Sequence, residues 1–140
     1  MQWFIVEADN KPGEFARHAS AIADRGINIS NVVCLGIGDR GGAAFHATDE
    51  AGLRSALNDA GVAFREVSVV LAKLADKPGT LADAAQRLGD AGVNIELVAP
   101  VGMDAGGVSV AFGVDKLDQA ESALGDLFTT SAIPVGTTAR

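Results

Sequence analysis

The sequence predicts an α+β protein built from two tandem units, each with the element order βαββαβ. The first observation behind this is a turn that occurs twice: Asn10-Lys11-Pro12-Gly13-Glu14-Phe15 follows one apolar run, and Asp76-Lys77-Pro78-Gly79-Thr80-Leu81 follows another. The second is that an overlay of Pro12 on Pro78 also places Ile27-Asn28-Ile29 on Val93-Asn94-Ile95. An internal repeat near half of a 140-residue chain favours two small domains, which we place at residues 1–66 and 67–140.

In the first unit, the elements follow from apolar spacing and from turn residues. Residues 2–8 are apolar and β-prone, and residues 12–25 carry apolar side chains at helical spacing before Gly26, a predicted helix stop. Residues 28–35 and 43–48 predict two strands joined by a glycine-rich loop at 36–42. Asp49 is a predicted N-cap for a helix that runs to residue 60, and residues 62–66 predict a short fourth strand.

The second unit repeats this order. Strands are predicted at residues 67–74, 94–101 and 108–114, with a helix at 78–91 and a loop at 102–107. Asp115 is predicted to cap a last helix that ends near Phe128, and residues 133–135 predict the final strand. Because the helices are short and rich in alanine, each can cover only one face of a small sheet. We therefore expect each unit to be ferredoxin-like, with a four-stranded antiparallel sheet and two helices on one face.

Composition narrows the classes of function. The net charge of −7 disfavours binding to nucleic acid or to anionic membrane surfaces, because both require clustered lysine and arginine. No apolar run approaches the roughly 18 residues of a membrane-spanning helix, and no N-terminal signal segment is apparent. Cys34 is the one cysteine and cannot form an internal disulfide. We expect a cytoplasmic protein with no nucleic-acid partner and no membrane partner.

The repeated turn has a purely structural explanation, because a strand has to become a helix there. Proline fixes φ in the first helical turn, and glycine permits a sharp bend. The helix that begins there also presents unpaired N–H groups and a positive dipole end, which favour an anion. Asn28 and Asn94, at the start of the next predicted strand, would come back beside their own turns if strand 2 lay next to strand 1.

Such a pocket would suit the backbone groups of an amino acid. It offers donors for the carboxylate, and it offers acceptors for the ammonium from asparagine oxygens, open carbonyls or the Asp76 carboxylate. The alternative role of Asn28 and Asn94 is that of turn residues, because Gly26 and Gly92 precede them closely.

Together, the βαββαβ order, the Asn/Asp-Lys-Pro-Gly turn, the glycine that ends the helix and the following Asn-Ile resemble the ACT domain, a small regulatory module of amino-acid metabolism. Both units match this pattern, over nearly the whole chain. The resemblance implies that an effector, usually an amino acid, binds at an interface between two ACT domains and contacts the strand-to-helix turn and the start of strand 2. The corresponding ligand-binding residues are Asn10, Lys11, Pro12, Gly13, Glu14, Phe15, Asn28 and Ile29 in the first unit, and Asp76, Lys77, Pro78, Gly79, Thr80, Leu81, Asn94 and Ile95 in the second.

The two predicted sites are not equivalent. The neutral amide of Asn10 corresponds to the carboxylate of Asp76. Glu14 corresponds to Thr80, and Phe15 corresponds to Leu81. We therefore expect one site to bind better than the other.

Other chemistry finds little support in the sequence. Gly36-Ile37-Gly38-Asp39-Arg40-Gly41 fits the dinucleotide-binding pattern, but a strand is predicted where that motif requires a helix. His18, His46 and Cys34 are too few and too far apart to predict a metal site. No set of nucleophile, acid and base stands out. We predict no metal, no cofactor and no catalytic activity.

The sequence thus predicts a stand-alone, allosteric amino-acid-binding protein that forms a homodimer and regulates a separate metabolic enzyme. One alternative is a non-catalytic accessory subunit that uses the ACT pair only for dimerisation or for docking to an enzyme. A second alternative is a small enzyme on the same ferredoxin-like framework.

Overall fold

A computed structural model describes residues 1–130 of the chain. The chain divides into two compact units, one formed by Gln2–Val67 and the other by Met1 together with the chain from Ser68 onward. Both are α+β units with antiparallel strand pairing, as the apolar patterns predict.

The first unit contains β1 (Gln2–Asp9), α1 (Glu14–Ala23), β2 (Asn31–Ile37), β3 (Arg40–His46) and α2 (Glu50–Asp59). Its strands lie in the order β2-β3-β1, with Phe4 opposite Phe45 and Asn31 opposite His46. Because β1 and β2 both pair antiparallel with β3, they run in the same direction. Helices α1 and α2 cover one face of this sheet, where Ile22, Leu53 and Leu57 pack on the strand residues of a single core.

The second unit repeats the arrangement. Strand β4 (Arg65–Leu74) begins in the first unit and leads to α3 (Thr80–Asp90), β5 (Ile95–Asp104), β6 (Gly107–Val114) and α4 (Leu117–Leu124). A 3₁₀ turn (Gly125–Leu127) and a short strand β7 (Phe128–Thr129) follow. The strand order is β5-β6-β4-β7, and helices α3 and α4 pack on one face through Leu88 and Leu124.

The prediction of glycine-rich loops at 36–42 and 102–107 is wrong, because each segment forms a tight β-hairpin. Only Gly38 and Asp39 turn between β2 and β3, and only Ala105 and Gly106 turn between β5 and β6. Gly38 has φ +62°, which favours glycine in a two-residue turn. Gly41 lies within β3, where a Cβ atom would come 2.6 Å from the carbonyl oxygen of Leu35. Its glycine therefore permits close strand approach.

The predicted fourth strand at 62–66 is also wrong. The amide of Val62 donates to the carbonyl of Leu57 at 3.0 Å, so this segment still closes the end of α2. Val62 and Phe64 pack on the core, and the strand begins at Arg65. No turn residue separates residues 66 and 67, so a single strand crosses the predicted domain boundary.

The last helix is shorter than predicted. It ends at Leu124, because Gly125 takes φ +53° at the C-cap. Its N-cap is Lys116 rather than Asp115, whose carboxylate instead accepts from the backbone N–H of Asn94 at 2.8 Å. Asp49 does cap α2 as predicted, accepting from the backbone N–H of Gly52 at 2.8 Å. The strand predicted at 133–135 lies outside the described residues, whereas β7 takes the pairing position beside β4.

The longest helix of residues 1–130, α3, has 11 residues. Within that part of the chain, no helix has both the length and the apolar character needed to cross a membrane.

Candidate functional site

A groove opens beside the Lys-Pro-Gly turn of the second unit. It has a volume of about 260 Å³ and lies between the first turn of α3 and the helix-facing side of β5 and β6. Its lining comprises Leu74, Ala75, Asp76, Lys77, Thr80, Leu81, Val98, Pro100, Val108 and Val110. Four of the predicted ligand-binding residues are therefore gathered at one groove.

Backbone geometry and one hydroxyl hold this turn. Gly79 has φ +94° at the N-cap of α3, and it provides no side-chain cap. The Thr80 hydroxyl lies 2.7 Å from the carbonyl oxygen of Ala75 and 3.1 Å from that of Lys77, so its single hydrogen satisfies one or the other. Thr80 therefore shapes the groove by closing the turn.

The two charged side chains of this turn are available to a ligand. Within residues 1–130, the Asp76 carboxylate and the Lys77 ammonium are exposed, and neither takes part in a hydrogen bond or ion pair. Both line the groove. An anionic acceptor for an ammonium group and a cation for a carboxylate thus stand side by side.

The equivalent groove of the first unit is smaller, with a volume of about 90 Å³. Asn10, Lys11, Glu14 and Phe15 line it, together with His18, Cys34 and residues of β1, β2 and β3. The Phe15 ring stacks on Phe45 with a centroid distance of 6.0 Å and an interplanar angle of 10°. The aligned residue of the second unit is Leu81, which lines the larger groove.

The polar side chains of the first groove already have partners. The Asn10 amide donates to the carbonyl of Gly38 at 3.0 Å, and Gly36 makes room for it, since a Cβ there would lie 2.5 Å from Nδ2. Glu14 lies 3.1 Å from the Arg17 guanidinium and 3.9 Å from the Lys11 ammonium. The hydrogen bond from Arg17 holds the pKa of Glu14 below its ordinary value. A ligand would have to compete with these contacts.

His18 and Cys34 line the first groove but were not predicted as site residues. His18 is 3% exposed, and this burial lowers the pKa of its imidazole, with a further lowering from the adjacent Arg17. The sequence signal for His18 was its helical spacing. It lies three positions after Phe15 and four after Glu14, and side chains at these spacings share one face of a helix. In the second unit the equivalent position is Ala84, which is fully buried. The lining strand residues, such as Val98, become apparent only from the strand register.

The structure does not bring Asn28 or Asn94 to its own turn. The turn follows the C-terminal end of β1, whereas Asn28 precedes the N-terminal end of β2, and these two strands are parallel. Asn28 and Asn94 therefore lie at the opposite end of their unit from the groove, and both lie before the strands they were predicted to begin. Ile29 and Ile95 pack against the cores. Pro12, Gly13, Pro78 and Gly79 shape the turns without lining the grooves.

Among the residues that the structure describes, no group of three or more histidine, cysteine, aspartate or glutamate side chains is placed to hold a metal ion. The two histidines lie in separate surroundings of the first unit. His18 lies on α1, and His46 stacks on Trp3 with a centroid distance of 5.7 Å.

Several solved structures have a similar architecture. The fold is similar to that of protein BT0572 from Bacteroides thetaiotaomicron, with a TM-score of 0.71 and 22% identity over 89% of this chain and 86% of that one. It is similar to the regulatory subunit of aspartate kinase from Thermus thermophilus, with a TM-score of 0.57 and 23% identity over 88% and 87% of the two chains. A structure of aspartokinase alpha and beta subunits gives a TM-score of 0.62 and 19% identity over 90% of each chain.

These similarities confirm, at the level of the fold, the resemblance to the ACT domain that the repeated turns carry. The chain has the fold of an ACT-domain protein. No family model matches the sequence, and no curated protein matches it.

Proposed function

We propose that the chain is a non-catalytic, amino-acid-binding regulatory protein composed of two ACT-like domains, residues 1–66 and 67–140. The observation that carries this proposal is the groove that recurs beside each Lys-Pro-Gly turn. The fold is similar to that of a protein described as the regulatory subunit of aspartate kinase, and to that of the aspartokinase alpha and beta subunits. A groove with exposed ionic groups, formed by a turn that recurs in sequence, supports a ligand site over a purely structural bend.

In this proposal, residues 10–15 and 76–81 hold the backbone groups of the amino acid. The Asp76 carboxylate accepts from the ligand's ammonium, and Lys77 attracts its carboxylate, because both side chains face the same groove without other partners in residues 1–130. In the first unit, Lys11 and the amide oxygen of Asn10 take the corresponding roles. That site is the weaker one in this proposal, because Glu14 lies 3.9 Å from the Lys11 ammonium and the neutral Asn10 amide lacks the charge of Asp76.

Asn28 with Ile29, and Asn94 with Ile95, complete sites at interfaces between ACT domains in this proposal, because none of them lines a groove within its own unit. A homodimer would supply such an interface. Strand β2 is an edge strand on which Val32, Leu35 and Ile37 are 43%, 63% and 71% exposed, and such an edge can pair with a second copy. Separate N28A and N94A variants should each weaken amino-acid binding in a calorimetric titration. Unchanged affinity in both would remove these residues from the site.

The regulated activity belongs, in this proposal, to a separate enzyme of amino-acid metabolism in the cytoplasm. Binding of an amino acid would favour one arrangement of the domains, and the enzyme would respond to that arrangement. The alternative is an accessory subunit that only dimerises or docks to an enzyme. The exposed apolar side chains of β2 are compatible with this alternative as well as with the homodimer of the sensor.

The first test is thermal unfolding of the purified protein against each of the twenty amino acids. A ligand at about a hundred times its dissociation constant adds roughly 2.7 kcal/mol to the free energy of unfolding, so the midpoint should rise by several degrees. A rise with a subset of amino acids supports the sensor. No rise with any of them, together with co-purification of an enzyme, would replace it with the docking subunit.

A further inference from the structure

The two grooves differ in how much space they leave. The groove of the second unit encloses about 260 Å³, against about 90 Å³ for that of the first. At one aligned lining position the first unit has Phe15, whose ring stacks on Phe45, and the second unit has the shorter Leu81. The second groove therefore has more room for a ligand side chain.

The walls of the second groove away from the turn are apolar. Leu81 stands on one side, and Val98, Pro100, Val108 and Val110 form the other. Val98 and Leu81 are 38% and 49% exposed, so they present apolar surface that a ligand could cover. These wall side chains offer no partner to a polar or charged ligand side chain, which would lose hydration without compensation.

Ionic groups occur at one end of the same groove only. Asp76 and Lys77 belong to the turn, and within residues 1–130 their side chains have no partners. A zwitterionic amino-acid backbone matches this end, and its side chain then points along the apolar walls. The ligand best matched to the groove is polar at one end and apolar at the other.

We propose, on the basis of the amino-acid-binding function proposed above, that the second-unit groove is the effector site and that it selects an amino acid with a large apolar side chain. Valine, isoleucine, leucine, methionine and phenylalanine form this class. The first groove, which is smaller and lined by the Phe15 ring, is the weaker site for this class. Leu81 and Val98 are the specificity-determining residues.

Isothermal titration of the full chain with each of the twenty amino acids tests the class. One methylene in an apolar pocket changes affinity about 10-fold or more. At least one member of the class should therefore bind the wild type at least about 10-fold more tightly than alanine, and more tightly than aspartate, lysine or serine.

Two pairs of variants locate the site. L81F copies the first-unit residue into the second groove and should weaken binding at least about 10-fold. The control M103F also adds an aromatic ring at an exposed apolar position of the second unit, but Met103 lines neither groove, so it should leave the affinity unchanged. V98T replaces a wall methyl by a hydroxyl and should weaken binding severalfold, whereas V32T changes the equivalent strand position of the first unit without effect. All four positions are exposed, so folding should survive, and thermal unfolding without ligand verifies this.

The outcomes separate this inference from the proposed function. If none of the twenty amino acids binds the wild type, both are overturned. If a polar or charged amino acid binds most tightly, or if L81F and V98T leave the affinity unchanged, the proposed function stands and this inference is wrong. A loss of binding in M103F as large as that in L81F would show that the effect of L81F does not come from the groove, and this inference would be wrong.

Discussion

At equivalent positions of the two repeats, different side chains give the two grooves different chemistry. Phe15 lines the smaller groove and Leu81 the larger one, and the neutral amide of Asn10 stands where the second unit has the carboxylate of Asp76. The sequence comparison predicted unequal sites from these pairs. It did not predict which site is the more open, because the stacking of Phe15 on Phe45 depends on the distance between a helix and a strand.

Burial of His18 makes stability depend on pH in a defined direction. Its pKa is lowered in the folded state, first by burial and then by Arg17, with an opposing effect of Glu14. The unfolded chain, with an ordinary pKa of 6.5, therefore takes up a proton that the folded chain refuses. The stabilising contribution is present above pH 6.5 and is lost as the pH falls through that value toward the lower folded pKa.

We expect the free energy of unfolding to fall between about pH 7.5 and 5.5 and the H18Q variant to show a shallower fall, measured by urea denaturation at several pH values. His46, whose pKa is lowered mainly by burial, accounts for the remaining slope. Equal slopes in wild type and H18Q would show that His18 titrates alike in both states.

At the scale of elements, helices and central strands were predictable, whereas connections were not. Helix α3 starts two residues after Pro78 and ends before Gly92, close to the limits that proline and glycine indicate. Glycines at 36, 41 and 42 indicated a loop, but they lie in paired strands, where the missing side chains permit close approach. The prediction that Asn28 lies beside its own turn was wrong. The sequence does not reveal that β1 and β2 are parallel, which puts Asn28, before the start of β2, at the opposite end of the unit from the turn that follows β1.

The strand-to-helix turns depend on glycine at the helix N-cap. Gly79 has φ +94°, so G79A should lower the free energy of unfolding by about 1 to 2 kcal/mol. Gly89 lies inside α3, and a Cβ atom there would meet no neighbouring side chain within 4 Å, so the control G89A should raise it by about 0.5 to 1 kcal/mol. Urea denaturation measures both. Equal effects of the two substitutions would contradict the account of the turn.

At the scale of the whole molecule, one short unit is used twice, and each unit has its own core beneath two helices. The groove-lining side chains of Leu81 and Val98 are exposed and carry little of the core packing, so the grooves can differ between the units while each unit keeps its fold. In the further inference, the second unit holds the main effector site, and the first contributes a weaker site and an edge strand available to a second copy.

The measurement that tests the central claim most directly is backbone amide NMR of the uniformly labelled protein, titrated in turn with the twenty amino acids. Our account predicts that a large apolar amino acid shifts the backbone amides of residues 76, 77, 79–81, 98, 99 and 108–110, while those of residues 10, 11 and 13–15 move less. Saturation of these shifts would give the same dissociation constant as calorimetry. No shifts with any amino acid, or shifts confined to residues 10–15 and their groove, would contradict it.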